Sequence, residues 1–583
     1  MGSFFKMFFA SLLALVIFCL IAVFITIGFF AGVAAKKAPK VHDRSVLVLD
    51  LGQEFHEQTR NNFLSGFSEW QSDVPGLYDV VRLITKAKDD DKIAGIYIIA
   101  NGNPNGFAAS EEIRNALIDF KTSRKFVLAH GDVISQKAYC VANVSDSIFV
   151  SQQGYVEWSG FSVAYAFLKG TFDKLGIEPQ VFYAGKFKSA TEPFRTDHMT
   201  PENQLQTSIW LNDLYNHFLL RTSEARKVDT ATLHRLANEG TIQTAADAVQ
   251  HKLVDALRYD DEVKDVIKRR LNIDKYERIN YISIDAYGKA NEFDRKGKNK
   301  IALIYAEGDI IDGKGDHGTI GSESYRNLVR KARLDKSIKA IVLRVNSGGG
   351  SALASENIWR ELSLAKKEKP VVVSFGDVAA SGGYYISCAA DSIFSQPVTI
   401  TGSIGVFGII PNMQSFFKDK LGVTFDGVKT APYADAGAVY RPLTETEKRM
   451  TQAGVEVTYS QFKQRVADGR KKDTAYVDSI AQGRVWTGVR AREIGLVDRM
   501  GGLDDAIKCA ARMAKLPDYV LKELPEQLTL FEQVFGKKEP MTYANRLKAE
   551  LGEENYKIYL EMKRIREMTN TVQARLPFQF FIH

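Results

Sequence analysis

The chain has 583 residues, too long for one ordinary core, so two or more domains are expected. With 45% hydrophobic and 25% charged residues it is compositionally globular, which excludes a disordered chain, a collagen and a coiled-coil rod. Lys+Arg outnumber Asp+Glu by 77 to 70, but the surplus of +7 is spread along the chain; this fits an anionic membrane surface better than nucleic acid, and no nucleic-acid partner is expected.

In chain order, the first feature is a stretch without charge from Met7 to Ala35. At helical rise it spans roughly 43 Å, more than the ~30 Å hydrocarbon core of a bilayer. A signal-peptide apolar region is shorter, about 7–15 residues. Residues 1–35 are therefore expected to be a single-pass anchor rather than a cleaved leader. Lys36, Lys37, Lys40 and Arg44 follow it and only Lys6 precedes it, so local charge counting favours a cytoplasmic location for the bulk of the chain. Cys19, Cys140, Cys388 and Cys509 are scattered singly, which excludes a disulfide framework and a zinc ribbon. No metal and no organic cofactor are expected.

The remainder is organised by an internal repeat. Ile93 to Ile113 lies over Ile338 to Ile358, with Asn101 and Asn346, Ser110 and Ser355, and Glu111 and Glu356 each 245 positions apart. Asp132 and Asp377 keep that offset, and Thr244 to Asp255 lies over Thr487 to Asp498 at 243. Each unit alternates short Val/Ile-rich runs, such as Ile341 to Val345 and Val371 to Ser374, with helical patterns. That is the order of a parallel α/β fold. The charged stretch Lys289 to Lys300 reads as a linker. The expected division is an anchor over 1–35, a first repeat over 36–295, a second over 296–520, and a helical C-terminal extension over 521–583 with Glu and Lys at i, i+4 spacing.

Chemistry is expected where the repeats disagree. In the first unit Lys186 and Lys188 interrupt an otherwise apolar strand pattern, on one face of it, so periodicity does not choose between them. In the second, Asn346 to Ala352 (NSGGGSA) follows one strand, and Ser381-Gly382-Gly383 follows another before a helical pattern. The first could offer backbone N–H groups to an oxyanion, and the second suits an exposed nucleophile. No Gly-Lys-Ser/Thr follows the first cluster, which excludes a phosphate-binding P-loop. At the repeat offset Gln136 stands where the second unit has Ser381, and in the stretch corresponding to the lysine segment Ala434 stands opposite Lys188. One unit has the lysine and no serine, the other the serine and no lysine. None of the nine histidines lies between Ile338 and Val439, so a lysine held neutral by burial is the nearer base.

Leu343-Arg-Val-Asn-Ser-Gly-Gly-Gly-Ser351, Gly376-Asp-Val-Ala-Ala-Ser-Gly-Gly-Tyr384, Thr401-Gly-Ser-Ile-Gly-Val406 and Lys186-Phe-Lys-Ser-Ala-Thr-Glu-Pro193 together resemble the signal peptide peptidase A family, in its long tandem-domain form, over about residues 45 to 520. The resemblance implies two tandem Clp-protease/crotonase-like α/β domains after the transmembrane helix, and a serine endopeptidase with a Ser-Lys dyad. It places the nucleophile on Ser381, the general base on Lys188 and a lysine-orienting hydroxyl on Ser403. It places the oxyanion donors on the N–H of Gly382 and of Gly349 or Gly350. Gly348 stands where the family usually has Pro, which should loosen the loop. The resemblance further implies peptide substrates, remnant signal peptides among them, and a bacterial inner-membrane location with the catalytic domains on the periplasmic side, against the local charge count. The alternatives on this fold are a crotonase-like acyl-CoA enzyme and a non-catalytic membrane scaffold. A unit of this fold leaves large edges uncovered, so a homo-oligomeric ring is expected, a tetramer being one such closure. Only junctions uniting Lys188 with Ser381 would be active, and these are expected within one chain.

Overall fold

The structure, a computed structural model, describes residues 2–34, 39–59, 74–291, 293, 297–316, 318–526 and 572–576. Gly2–Ala34 form one helix, long and apolar enough to cross a membrane, with side chains exposed from Phe4 to Ile21.

Two α/β units follow. In the first, β1 (Ser45–Asp50), β2 (Ile93–Ile99), β3 (Phe126–Ile134) and β4 (Ser147–Val156) are parallel neighbours. The next strand, β5 (Glu178–Ala184), leaves this sheet, while β6 (Ala256–Leu257) and β7 (Tyr281–Ser283) close its edges in the order β6-β4-β3-β2-β1-β7. The second unit starts with β8 (Lys300–Glu307), β9 (Asp309–Ile311), β10 (Thr319–Gly321), β11 (Ile338–Ser347) and β12 (Gly349–Ser351). It continues through β13 (Val371–Ala380), β14 (Ser392–Ser395), β15 (Ile400–Gly402) and β16 (Val406–Asn412). It ends with β17 (Val485–Thr487), β18 (Arg499–Met500), β19 (Val520–Leu524) and β20 (Gln573–Arg575). Its main sheet runs β17-β15-β13-β11-β8-β19, with β14 beside β13 and β18 beside β14. Strands covered on both faces read as near-continuous apolar runs, as β11 and β13 do.

The repeat persists in the helices. Leu77–Asp89 and Phe107–Lys121 return as Ser322–Leu334 and Ala352–Lys366, each shifted by 245 at both ends. In Ser322–Leu334 the buried Tyr325, Val329 and Ala332 recur at helical spacing, so one face closes on the sheet and the basic residues stay outside.

The units are not separate bodies. A third sheet, β10-β9-β12-β20-β16-β5, takes β5 from the first unit and pairs it antiparallel with β16 of the second, from Ala184 opposite Val406 to Glu178 opposite Asn412. This transfer carries the segment after β5, and Lys188 with it, into the second unit. A charged clasp lies in the same interface. Arg344, fully buried in β11, donates from Nε to Glu57 and from Nη2 to Glu112 of the first unit, both at 2.7 Å, and from Nη1 to Ser374 Oγ and Phe375 O at 2.9 Å. Burial pushes the Glu57 carboxyl up to about 7 even with Arg344 beside it. Asp377 of β13 likewise caps the helix Phe107–Lys121 from the other unit, accepting from the N–H of Ala108 at 2.8 Å and of Ala109 at 3.1 Å. Removing one partner of such a buried set leaves the others charged and unmatched. Arg344→Ala is expected to destabilise the paired units by about 3–5 kcal/mol, read as a lower thermal midpoint; an unchanged midpoint would show that the clasp carries no weight.

The helix expected over the tail lies outside the described residues. The described parts of 521–583 include the end of β19, which straddles the expected limit at 520, and β20, which belongs to the third sheet.

Candidate active site

Ser381 follows β13 and stands immediately before the helix Gly382–Ser387, with φ +54°. A positive φ is costly for a side-chain-bearing residue and persists only where surrounding bonds fix it. Here the Ser381 N–H donates to Gly402 O and the Ser381 carbonyl accepts from Tyr385 N–H, both at 2.8 Å. The following glycines are required by space. A Cβ on Gly382 would fall 2.7 Å from Ser355 Oγ, and one on Gly383 2.6 Å from Ser347 O.

The sequence reading of Lys186 and Lys188 as strand residues on one face is corrected by the structure. The strand ends at Ala184, Gly185 turns the chain at φ +105°, and Lys188 leads into a short 3₁₀ turn at Ser189–Thr191. The turn sends the two lysines apart. Lys186 is exposed, its Nζ over the Phe187 ring at 5.3 Å, while Lys188 is 1% exposed. The Lys188 Nζ lies 2.8 Å from Ser381 Oγ, 3.1 Å from Ser403 Oγ and 3.2 Å from Ser403 O. Burial alone drives its pKa well below the ordinary 10.5. Ser403, also at positive φ (+49°), is held by donation of its N–H to Arg484 O at 2.7 Å. Gly483 permits this closeness, since a Cβ there would meet Lys188 N and Cβ at 2.7 Å.

The glycine loop separates the two oxyanion candidates. Gly349 N–H donates to Ser347 Oγ at 3.1 Å, and Ser347 Oγ donates in turn to Gly308 O at 2.6 Å. Both glycines lie along β20, Gly349 opposite Arg575 and Gly350 opposite Ala574. The left-handed backbone falls on Gly349 (φ +99°), where a Cβ would lie 2.0 Å from Ala574 O and 2.6 Å from Gly382 N. Gly348, at the position expected to loosen the loop, has ordinary φ and room for a side chain, its nearest neighbour being Leu576 at 3.5 Å.

The matching position of the first unit is filled. Gln136 is buried; its Oε1 accepts from the N–H of Ser159 and Gly160 at 3.2 and 3.0 Å, and its Nε2 donates to Gly160 O at 2.9 Å. Ala434 is exposed. Among the described residues no cluster of His, Cys, Asp and Glu has the makings of a metal site.

Two participants escaped the sequence reading. Ser347, which takes the Gly349 N–H, sat inside a motif read only for its glycines. β20 lies against the loop, and its signal was the alternation Val572, Ala574, Leu576 with Gln573 and Arg575 between them.

The sequence profile of Peptidase family S49 matches this chain twice, at residues 119–274 and 363–517, once in each unit. "Protease 4" of Salmonella typhi is 36% identical over 536 residues, covering 89% of this chain and 86% of that protein. "Serine protease SPPA, chloroplastic" of Arabidopsis thaliana is 32% identical over 501 residues, covering 85% and 72% respectively. Among solved structures, a ClpP1 mutant from Listeria monocytogenes aligns at 14% identity with a TM-score of 0.24, covering 35% of this chain and 94% of that one.

Proposed function

This chain belongs to peptidase family S49 and is a serine peptidase, and from that membership we propose a membrane-anchored endopeptidase in which Ser381 and Lys188 form the catalytic dyad. The observation that carries the reading is the 2.8 Å approach of Lys188 Nζ to Ser381 Oγ, both side chains being buried. A neutral amine has two N–H donors and one lone pair. With the donors directed to the carbonyl and hydroxyl oxygens of Ser403, the lone pair is left for the Ser381 hydroxyl proton. Lys188 takes that proton as Oγ bonds to the scissile carbonyl carbon. The oxyanion that forms is met by the N–H groups of Gly350 and Gly382. The lysine ammonium then returns the proton to the leaving amine as the C–N bond breaks. Water, deprotonated by Lys188, releases the acyl group and restores Ser381.

The substrates of this reading are short apolar peptides, remnant signal peptides among them. The helix Gly2–Ala34 would hold the units at the bacterial inner membrane, on its periplasmic side, within a homo-oligomeric ring. Long domains translocate largely regardless of flanking charge, so Lys36, Lys37, Lys40 and Arg44 do not forbid that side. One experiment separates these elements. A membrane-impermeant fluorophosphonate applied to intact spheroplasts is expected to label Ser381, once per chain. Labelling only after lysis would overturn the topology and leave the nucleophile standing. Two labelled sites per chain would overturn the assignment of a single active junction, and no labelling in lysed cells would overturn the serine mechanism.

A further inference from the structure

The cleft beside Ser381 is already crossed by a peptide, the chain's own residues 572–576. β20 runs antiparallel to β12, with Arg575 opposite Gly349, Ala574 opposite Gly350 and Gln573 opposite Ser351. Its other edge meets β16 where Gln573 faces Phe407. Donation from Ala352 N–H to Val572 O at 3.0 Å and from Leu576 N–H to Gly348 O at 2.6 Å brackets the Gly350–Ala574 pair. Hydrogen-bonded pairs recur at every second residue of an antiparallel ladder, so the Gly350 N–H is directed at the Ala574 carbonyl. Gly382 borders the same carbonyl, since a Cβ on Gly349 would lie 2.0 Å from Ala574 O and 2.6 Å from Gly382 N, and one on Gly382 2.9 Å from Ala574 O. With the Ala574 carbonyl taken as the scissile one, Arg575 begins the leaving peptide.

We infer that Asp309 is a specificity determinant that reads a basic side chain at the first position of the leaving peptide. Arg575 is 3% exposed, and its Nη2 lies 2.7 Å from Asp309 Oδ2. A guanidinium enters so closed a place at an acceptable cost only where an opposite charge meets it. Asp309 opens β9, which pairs with β12 at Ile310 and Gly350. The carboxylate is therefore fixed in register with the loop that carries the oxyanion donor, one residue beyond the scissile carbonyl. A glutamate at the same substrate position would face Asp309 as a like charge, which rejects it. Ala574 is fully buried, so the favoured peptide combines a small acyl residue with a basic residue after it.

This inference rests on the serine-peptidase reading, and its test tells the two apart. Full-length protein in detergent is given peptides of sequence TVQA-X-LPF, with X as Arg, Ala or Glu, and kcat/KM for cleavage after the Ala is measured by mass spectrometry. The resident strand competes equally with each peptide and cancels from the ratios. Arg is expected to exceed Ala by about tenfold and Glu by more. Asp309→Asn should bring the Arg:Glu ratio towards one, and Asp309→Arg should invert it. Equal cleavage of the three peptides by the wild type, which needs no variant to fold, overturns the subsite, as does an Arg preference that survives Asp309→Asn. Failure to cleave all three while an apolar signal peptide is still cut also overturns it and leaves the peptidase reading standing. Failure to cleave any of the four overturns both.

Discussion

Ser381→Ala and Lys188→Ala are each expected to lower peptide turnover by about 10⁴-fold or more, while Lys186→Ala keeps most of it. The two lysines have the same chemistry and stand two residues apart, so the contrast isolates position. Lys186 is exposed and leaves the serine untouched; Lys188 is enclosed with its Nζ at hydrogen-bond distance from Ser381 Oγ. Lys188→Arg sharpens the test. Arginine keeps a positive charge and long stem but does not give up its proton in a protein. An arginine variant as inactive as Lys188→Ala would assign the role to proton abstraction rather than to charge. Measurable turnover in Lys188→Arg, or a Lys186→Ala as inactive as Lys188→Ala, would remove Lys188 as the base.

What could be read from the sequence was local or repeated. Strand–helix alternation is a nearest-neighbour property, and the repeat doubled its signal, so the helices Leu77–Asp89 and Ser322–Leu334 report each other. Ser381 and Lys188 stood out because each repeat lacks what the other has, and 193 residues apart in sequence they meet at 2.8 Å. The choice between Lys186 and Lys188 was not legible from periodicity, because the strand was read too long and the turn at Gly185 decides which lysine points inward. Arg344 was hidden in plain view. It replaces Ile99 of the first unit, a charge inside an apolar strand, but its partners Glu57 and Glu112 lie more than 200 residues away and no spacing connects them. β20 was missed for the same reason, since its pairing with β12 spans over 200 residues and ladder partners leave no mark in a local window.

Turnover should climb with pH through the lowered pKa of Lys188 and then level off. The base acts only as the free amine, so below that pKa kcat/KM falls about tenfold per pH unit. At its ordinary pKa only roughly one lysine in a few thousand would be free at pH 7; burial shifts the balance toward the amine. A rate that showed no acid-side fall at any pH where the protein stays folded would argue against a lysine base. The same shift has a consequence for stability, with a definite sign. In the window between the lowered folded pKa and the ordinary 10.5, the unfolded chain binds a proton at Lys188 that the folded chain does not. Stability therefore rises with pH across that window, and the cost of burying the amine is greatest at its low end. Lys188→Met removes this cost while filling much the same volume. It should be inactive yet more stable than the wild type, with a gain that shrinks as pH approaches 10.5. If the unfolding midpoints of Lys188→Met and wild type ran parallel across that range, Lys188 would titrate as an ordinary lysine, and the free amine needed at neutral pH would be missing from the site.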